Sequence, residues 1–143
     1  MAKKKTIRTI PQERTPMREQ PAAVRVKNFS EVACGFSLED ALRESERCLL
    51  CPEQPCVDGC PVGIDIPGFI QKISQKDFRG AYDVLTDTNL LPAICGRVCP
   101  QENQCEGVCV VGDTLEPVAV GRLERWVGDQ AIAAGWANIP YIE

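Results

Sequence analysis

Apolar positions recur at helical spacing in four segments of the chain, and no segment shows a convincing strand alternation. After Ser37, the run Leu38-Glu39-Asp40-Ala41-Leu42 reads as a capped helix start with acidic first-turn residues. Its face would carry Leu38, Leu42 and Ser45 up to Cys48. Asp65 followed by Ile66-Pro67 is a second start, with Phe69, Ile70 and Ile73 at helical spacing. Asp77 opens a third, with Phe78, Ala81, Tyr82 and Leu85, so the two predict a short antiparallel hairpin. The last helix starts near Glu116-Pro117 and carries Val120, Leu123, Trp126 and Val127 to about Ala134, where Gly135 is the stop. The pattern predicts an all-α fold built as one unit, with no internal repeat of the roughly 20–50-residue kind.

What the helices leave uncovered is rich in cysteine. There are 9 Cys in 143 residues, against 2 Met, 2 Trp, 2 Tyr and 4 Phe. A chain of this length buries only a modest core, so a bound inorganic centre would contribute much of the folding free energy. Histidine is absent, which excludes Ser-His-Asp and Cys-His catalysis, His-bearing zinc sites and His-ligated haem. No GxGxxG or P-loop is present, so neither a flavin nor a nicotinamide nucleotide has a recognisable site on this chain.

Charge divides the chain. Residues 1–27 hold eight Lys/Arg and two Glu; residues 28–143 hold eight Lys/Arg and eighteen Asp/Glu. The division predicts a basic extended arm over 1–27, docked on the acidic body or solvated as a tail, and an acidic helical domain over 28–143 that contains every cysteine. An acidic body repels phosphate backbones, and the arm lacks interleaved aromatics, so no nucleic-acid role is expected. No apolar segment follows Met1-Ala2-Lys3-Lys4-Lys5, and none approaches the roughly 20 apolar residues of a membrane span. A cytoplasmic, reducing location is the expectation, in which thiols bind metals rather than pair as disulfides.

The first cysteine run is Cys48-Leu-Leu-Cys51-Pro-Glu-Gln-Pro-Cys56-Val-Asp-Gly-Cys60-Pro61, close to the bacterial ferredoxin pattern in which a loop curls round a [4Fe–4S] cube and a proline-linked cysteine serves another cluster. The second run is Cys95-Gly-Arg-Val-Cys99-Pro-Gln-Glu-Asn-Gln-Cys105-Glu-Gly-Val-Cys109. Two groups of four satisfy two four-ligand clusters, while spacing alone leaves the pairing open. Zinc held by four thiolates is the alternative, disfavoured because the second run has no CxxC pair. Cys34 is left over, and reads as a small buried residue. Arg97 could offset cluster charge or pair with a carboxylate; Trp126 and Trp136 read as core or interface bulk.

Together Asn28 to Ala33, Ala41 to Cys48, Cys51 to Pro61, Asp65 to Ile70, Cys95 to Pro100 and Cys105-Glu106-xx-Cys109 resemble one module. It is the N-terminal iron–sulfur domain of the glutamate synthase small subunit family, shared with the ferredoxin:NADP transhydrogenase large subunit and dihydropyrimidine dehydrogenase. The resemblance covers about residues 24–143. It implies an all-helical domain wrapped around two [4Fe–4S] clusters. It further implies that Cys48, Cys51, Cys56 and Cys109 hold one cluster, and that Cys60, Cys99, Cys105 and Glu124 hold the other. Glu124 matches the family's Glu or Gln ligand, and Cys95 matches a non-ligand. Without the resemblance Glu124 would read as a helix-surface charge paired with an arginine.

The function expected is electron transfer. The module would relay single electrons between a partner's FAD, reduced by NAD(P)H, and another redox centre, possessing no catalysis of its own. A second redox subunit is a further expected partner. The chain's end near Asn138-Ile139-Pro140 falls where the family's flavin domain would begin, which suggests a split subunit or an excised domain. The rival reading is a docking domain that clusters or zinc merely fold.

Overall fold

A computed structural model describes residues 9–136 of the chain. In chain order its elements are β1 (Arg18–Glu19), α1 (Ala22–Arg25), β2 (Ala33–Gly35), α2 (Leu38–Ser45), α3 (Pro55–Asp58), α4 (Ile66–Ser74), α5 (Phe78–Thr86), α6 (Pro92–Val98) and α7 (Val120–Ala134), with 3-10 turns at Gln101–Asn103 and Val110–Asp113. The fold is helical, as the periodicity predicts. None of the helices among the described residues is long and apolar enough to cross a membrane. Residues 1–8 of the arm and the chain end after Trp136 lie outside the described residues.

The small ribbon corrects the strand-free expectation. β1 pairs antiparallel with β2, Arg18 opposite Gly35 and Glu19 opposite Ala33. Strands of two and three residues are too short for alternation to register in the sequence.

Local capping sets the helix starts. Ser37 Oγ accepts from the Asp40 N–H at 3.2 Å, and Asp40 Oδ2 accepts from the Ser37 N–H at 2.9 Å, a reciprocal pair. Asp65 and Asp77 accept from the N–H groups of Gly68 and Gly80 at 2.9 and 3.0 Å. Gly135, at φ +68°, ends α7 in the left-handed conformation that glycine adopts without penalty.

Two details differ from the pattern. The buried face of α2 is Ala41, Glu44 and Ser45, while Leu38 is 48% exposed. The reason is Glu44, whose carboxylate accepts from the N–H groups of Thr15 (2.7 Å) and Ala119 (2.9 Å) and from Arg47 (2.8 Å), all inside the molecule. Arg47, equally buried, donates in turn to the carbonyls of Pro11, Pro117 and Glu116. This holds Glu116 and Pro117 out of helical geometry, so α7 begins at Val120 rather than near Glu116-Pro117.

The same node ties the arm down. Thr15 is buried, receives a hydrogen bond from Arg43 on its hydroxyl (2.9 Å), and its carbonyl accepts from Arg122 (2.9 Å). Arg14 pairs with Glu106 at 2.6 Å, and Arg18 with Asp40 at 2.9 Å. The apolar core lies between α4, α5 and α7, with Phe69, Ile70, Ile73, Leu85, Leu123 and Val127 among its enclosed side chains. Trp126 is part of it, edge-on to Phe78 at 5.1 Å, and Trp136 leans on Tyr82.

Helix α6, absent from the sequence reading, packs on α7. The approach is close because Gly96 faces the backbone of Gly121 and Arg125, and Gly128 faces the backbone of Ala93, where a Cβ would collide. Arg97 fastens the pair, reaching Asp129 of α7 (2.8 and 2.9 Å) and Glu31 ahead of β2 (2.8 and 3.2 Å). Its charge is thus matched by carboxylates.

Candidate metal centres

Cys48 follows the end of α2, and Cys56 lies on α3, with Cys51 on the loop between them. That loop turns tightly: Leu50 and Gln54 both take left-handed backbone conformations, at φ 52° and 47°. Non-glycine residues held there store roughly 1–3 kcal/mol of strain each, which the surrounding packing must sustain. Cys109 arrives from the far end of the second run, just ahead of the 3-10 turn Val110–Asp113. These four thiols line one cavity, whose other walls include Ile66, Pro67, Ile70, Val118 and Val120.

A second cavity is lined by Cys60, Cys95, Cys99, Cys105 and Glu124, together with Asn89 and Gln101. Cys60 stands at the exit of α3 beside Pro61, Cys95 is on α6, and Cys99 ends that helix before Pro100. Cys105 is buried past the turn Gln101–Asn103, and Glu124 projects from α7. Ile66 and Val120 line both cavities and so form an apolar wall common to the two.

The electrostatics follow the same division. Burial pushes the Cys56 thiol up to about 11, reinforced by Cys48 and Cys109, and burial likewise raises Cys51, with Cys109 adding to it. In the second cavity burial pushes Cys105 up to about 12, aided by Glu106 and Cys60. Cys99 is raised by burial, then by Cys95 and Glu124. Burial lifts Glu124 to about 7, against a lowering hydrogen bond from Asn89. Each cavity therefore resists collecting several anions unless cations enter with them.

This donor set fits iron–sulfur chemistry. Soft thiolates suit iron–sulfur clusters, and the walls are largely apolar. A single zinc would need four sulfurs converging at about 2.3 Å. A cube that carries its own sulfides lets its ligands stand farther apart.

The structure thus brings together Cys48, Cys51, Cys56 and Cys109 in one place and Cys60, Cys99, Cys105 and Glu124 in another, with Cys95 beside the second set. Cys34 stands apart, and the expectation of a buried thiol is corrected: it is exposed on β2. The sequence reading missed Asn89, 6% exposed, whose Nδ2 donates to Glu124 Oε1 at 2.6 Å. A lone Asn in a link between helices carries no local signal; only the fold sets it against α7.

Comparison with known proteins finds an iron–sulfur family. Residues 25–136 match the family described as dihydropyrimidine dehydrogenase domain II, 4Fe-4S cluster. The chain is 38% identical over 118 residues to the glutamate synthase [NADPH] small chain of Halomonas elongata, covering 82% of this chain and 25% of that protein. With the Escherichia coli glutamate synthase [NADPH] small chain, identity is 36% over 118 residues, again 82% of this chain and 25% of the relative. With the Escherichia coli NAD-dependent dihydropyrimidine dehydrogenase subunit PreT, identity is 38% over 101 residues, 71% of this chain and 24% of the relative. The chain thus spans about a quarter of the length of these relatives. Matched by the family model over most of its length, this chain belongs to the dihydropyrimidine dehydrogenase domain II, 4Fe-4S cluster family.

Proposed function

We propose that this chain relays single electrons between an FAD in a partner domain or subunit, reduced there by NAD(P)H, and another redox centre. Cys48, Cys51, Cys56 and Cys109 hold one [4Fe–4S] cluster, and Cys60, Cys99, Cys105 and Glu124 hold a second. The clusters, when bound, supply one-electron reduction and reoxidation. The rest is done by the chain. Its thiolates and one carboxylate fix the two centres, its apolar side chains exclude water, and Ile66 and Val120 keep the centres adjacent. The observation that carries this reading is the sorting of these ligands into two cavities with a common wall.

Iron and acid-labile sulfide content, measured on protein purified without oxygen, tests it together with the absorbance before and after dithionite. The expected result is about eight irons and eight sulfides per chain, with bleaching on reduction. A colourless protein carrying one or two zinc ions would overturn it in favour of a docking domain folded by metal.

A further inference from the structure

We propose that Asn89 is a positioning residue that sorts the donors of the second cavity, presenting Glu124 as its oxygen ligand and holding Cys95 out of the ligand set. The inference rests on reading Glu124 as a ligand, and it concerns why that cavity takes a carboxylate when a fourth thiol lines it.

The orientation of the Asn89 amide is dictated by its surroundings. The backbone N–H of Leu91, at the start of α6, can only donate, and it lies 2.9 Å from Asn89 Oδ1. The carbonyl end of the amide is thereby fixed toward α6, and the NH2 end is left facing Glu124 Oε1 at 2.6 Å. A donor at that distance requires an acceptor, so Oε1 is engaged and the carboxyl group is held in one orientation. No protein partner of Glu124 Oε2 is found among the described residues, and Oε2 is the oxygen left for a metal.

The same amide acts oppositely on Cys95. Cys95 Sγ lies 3.5 Å from Asn89 Oδ1 and can satisfy that contact only by donating its S–H. That contact turns Cys95 Sγ toward Asn89, and the sulfur must leave it to reach a metal in the cavity. Asn89 itself is fixed from below, its N–H donating to the Leu85 carbonyl at 3.0 Å at the end of α5. One buried amide, with one end for each neighbour, therefore separates a carboxylate ligand from an excluded thiol.

Mössbauer spectroscopy of protein reconstituted with iron-57 under anaerobic conditions tests this, because an oxygen-bound iron is distinguishable from its sulfur-bound neighbours. Wild type and Cys95→Ser are expected to show the same distinct iron. Asn89→Leu is expected to lose that signal while keeping about four irons in the second cluster, Cys95 taking the vacated position. Adding Cys95→Ser to Asn89→Leu is expected to remove the fourth iron. Asn89→Asp keeps an acceptor for Leu91 and so keeps the start of α6, but it has no donor for Glu124; it too is expected to lose the distinct iron. If Asn89→Leu fails to fold, Asn89→Asp decides the matter. A wild-type signal in the Asn89 variants, alongside its loss in Glu124→Ala, overturns the inference and reduces Asn89 to a helix cap. A wild-type signal in Glu124→Ala instead overturns the ligand reading beneath it.

Discussion

Glu44 and Arg47 are both wholly enclosed, and each satisfies groups that the other cannot reach. Replacing Arg47 with Met would leave Glu44 as a buried charge short of its cation, and would also orphan the carbonyls of Pro11, Glu116 and Pro117. Breaking a buried pair from one side typically costs about 3–5 kcal/mol. Urea denaturation of Arg47→Met should show a loss of that size. The pH dependence has a definite sign. Burial by itself raises the Glu44 carboxyl, but the N–H groups of Ala119 and Thr15, the Thr15 hydroxyl and Arg47 outweigh it, so the net shift is downward. Its stabilising contribution is therefore complete above the ordinary carboxylate range of about 4.3 and is lost as the pH falls through the depressed folded value. Acid unfolding followed by circular dichroism should have a shallower low-pH limb in Glu44→Gln than in wild type. None of this was legible from the sequence: spacing placed Leu38 on the inner face of α2, whereas the residues buried there include a glutamate whose partners come from the arm and the segment before α7.

At the level of elements, legibility followed capping. Ser37, Asp65 and Asp77 each carry a side chain that accepts from a first-turn N–H, so the starts of α2, α4 and α5 could be read locally, as could the Gly135 stop. Helix α6 has no such side-chain cap; its one local signal is Pro92 at the first turn, which the sequence reading did not use. In the proposed ligand set that helix matters because it delivers Cys99 and lies against the helix that carries Glu124. Gly96→Ala would set a Cβ against the backbone of Gly121 and Arg125. The expected destabilisation is about 1–3 kcal/mol. The iron of the second cavity should be lost preferentially, and iron counting beside thermal melting can separate the two effects. Gly135→Ala, where nothing crowds a Cβ, should strain only the helix stop and leave the iron content unchanged.

For the whole molecule, the decisive feature is that the cavities share a wall. Ile66 and Val120 face both, whereas Ile70 lines the first and Phe69 the second. If each cavity holds a cluster as proposed, Val120→Ala should shift the midpoint potentials of both and Ile70→Ala that of the first alone, as read by potentiometric titration, because polarity and solvent access around a cluster tune its potential. The cysteine runs made a metal centre legible from spacing. They could not show that Cys109 joins the first run or that Cys60 joins the second, since those groupings exist only once α3, α6 and the 3-10 turns are in place. For that grouping the sequence reading relied on family resemblance, as it did for Glu124, whose environment is buried and apolar rather than that of a surface charge.

The measurement that bears most directly on the two-cluster relay is the iron-57 Mössbauer spectrum of the whole protein, recorded before and after anaerobic reduction with dithionite. The relay predicts about eight irons per chain, all in [4Fe–4S] environments, with spectra that move toward the reduced state on adding dithionite. Iron confined to one cluster, or spectra that dithionite leaves unchanged, would contradict it.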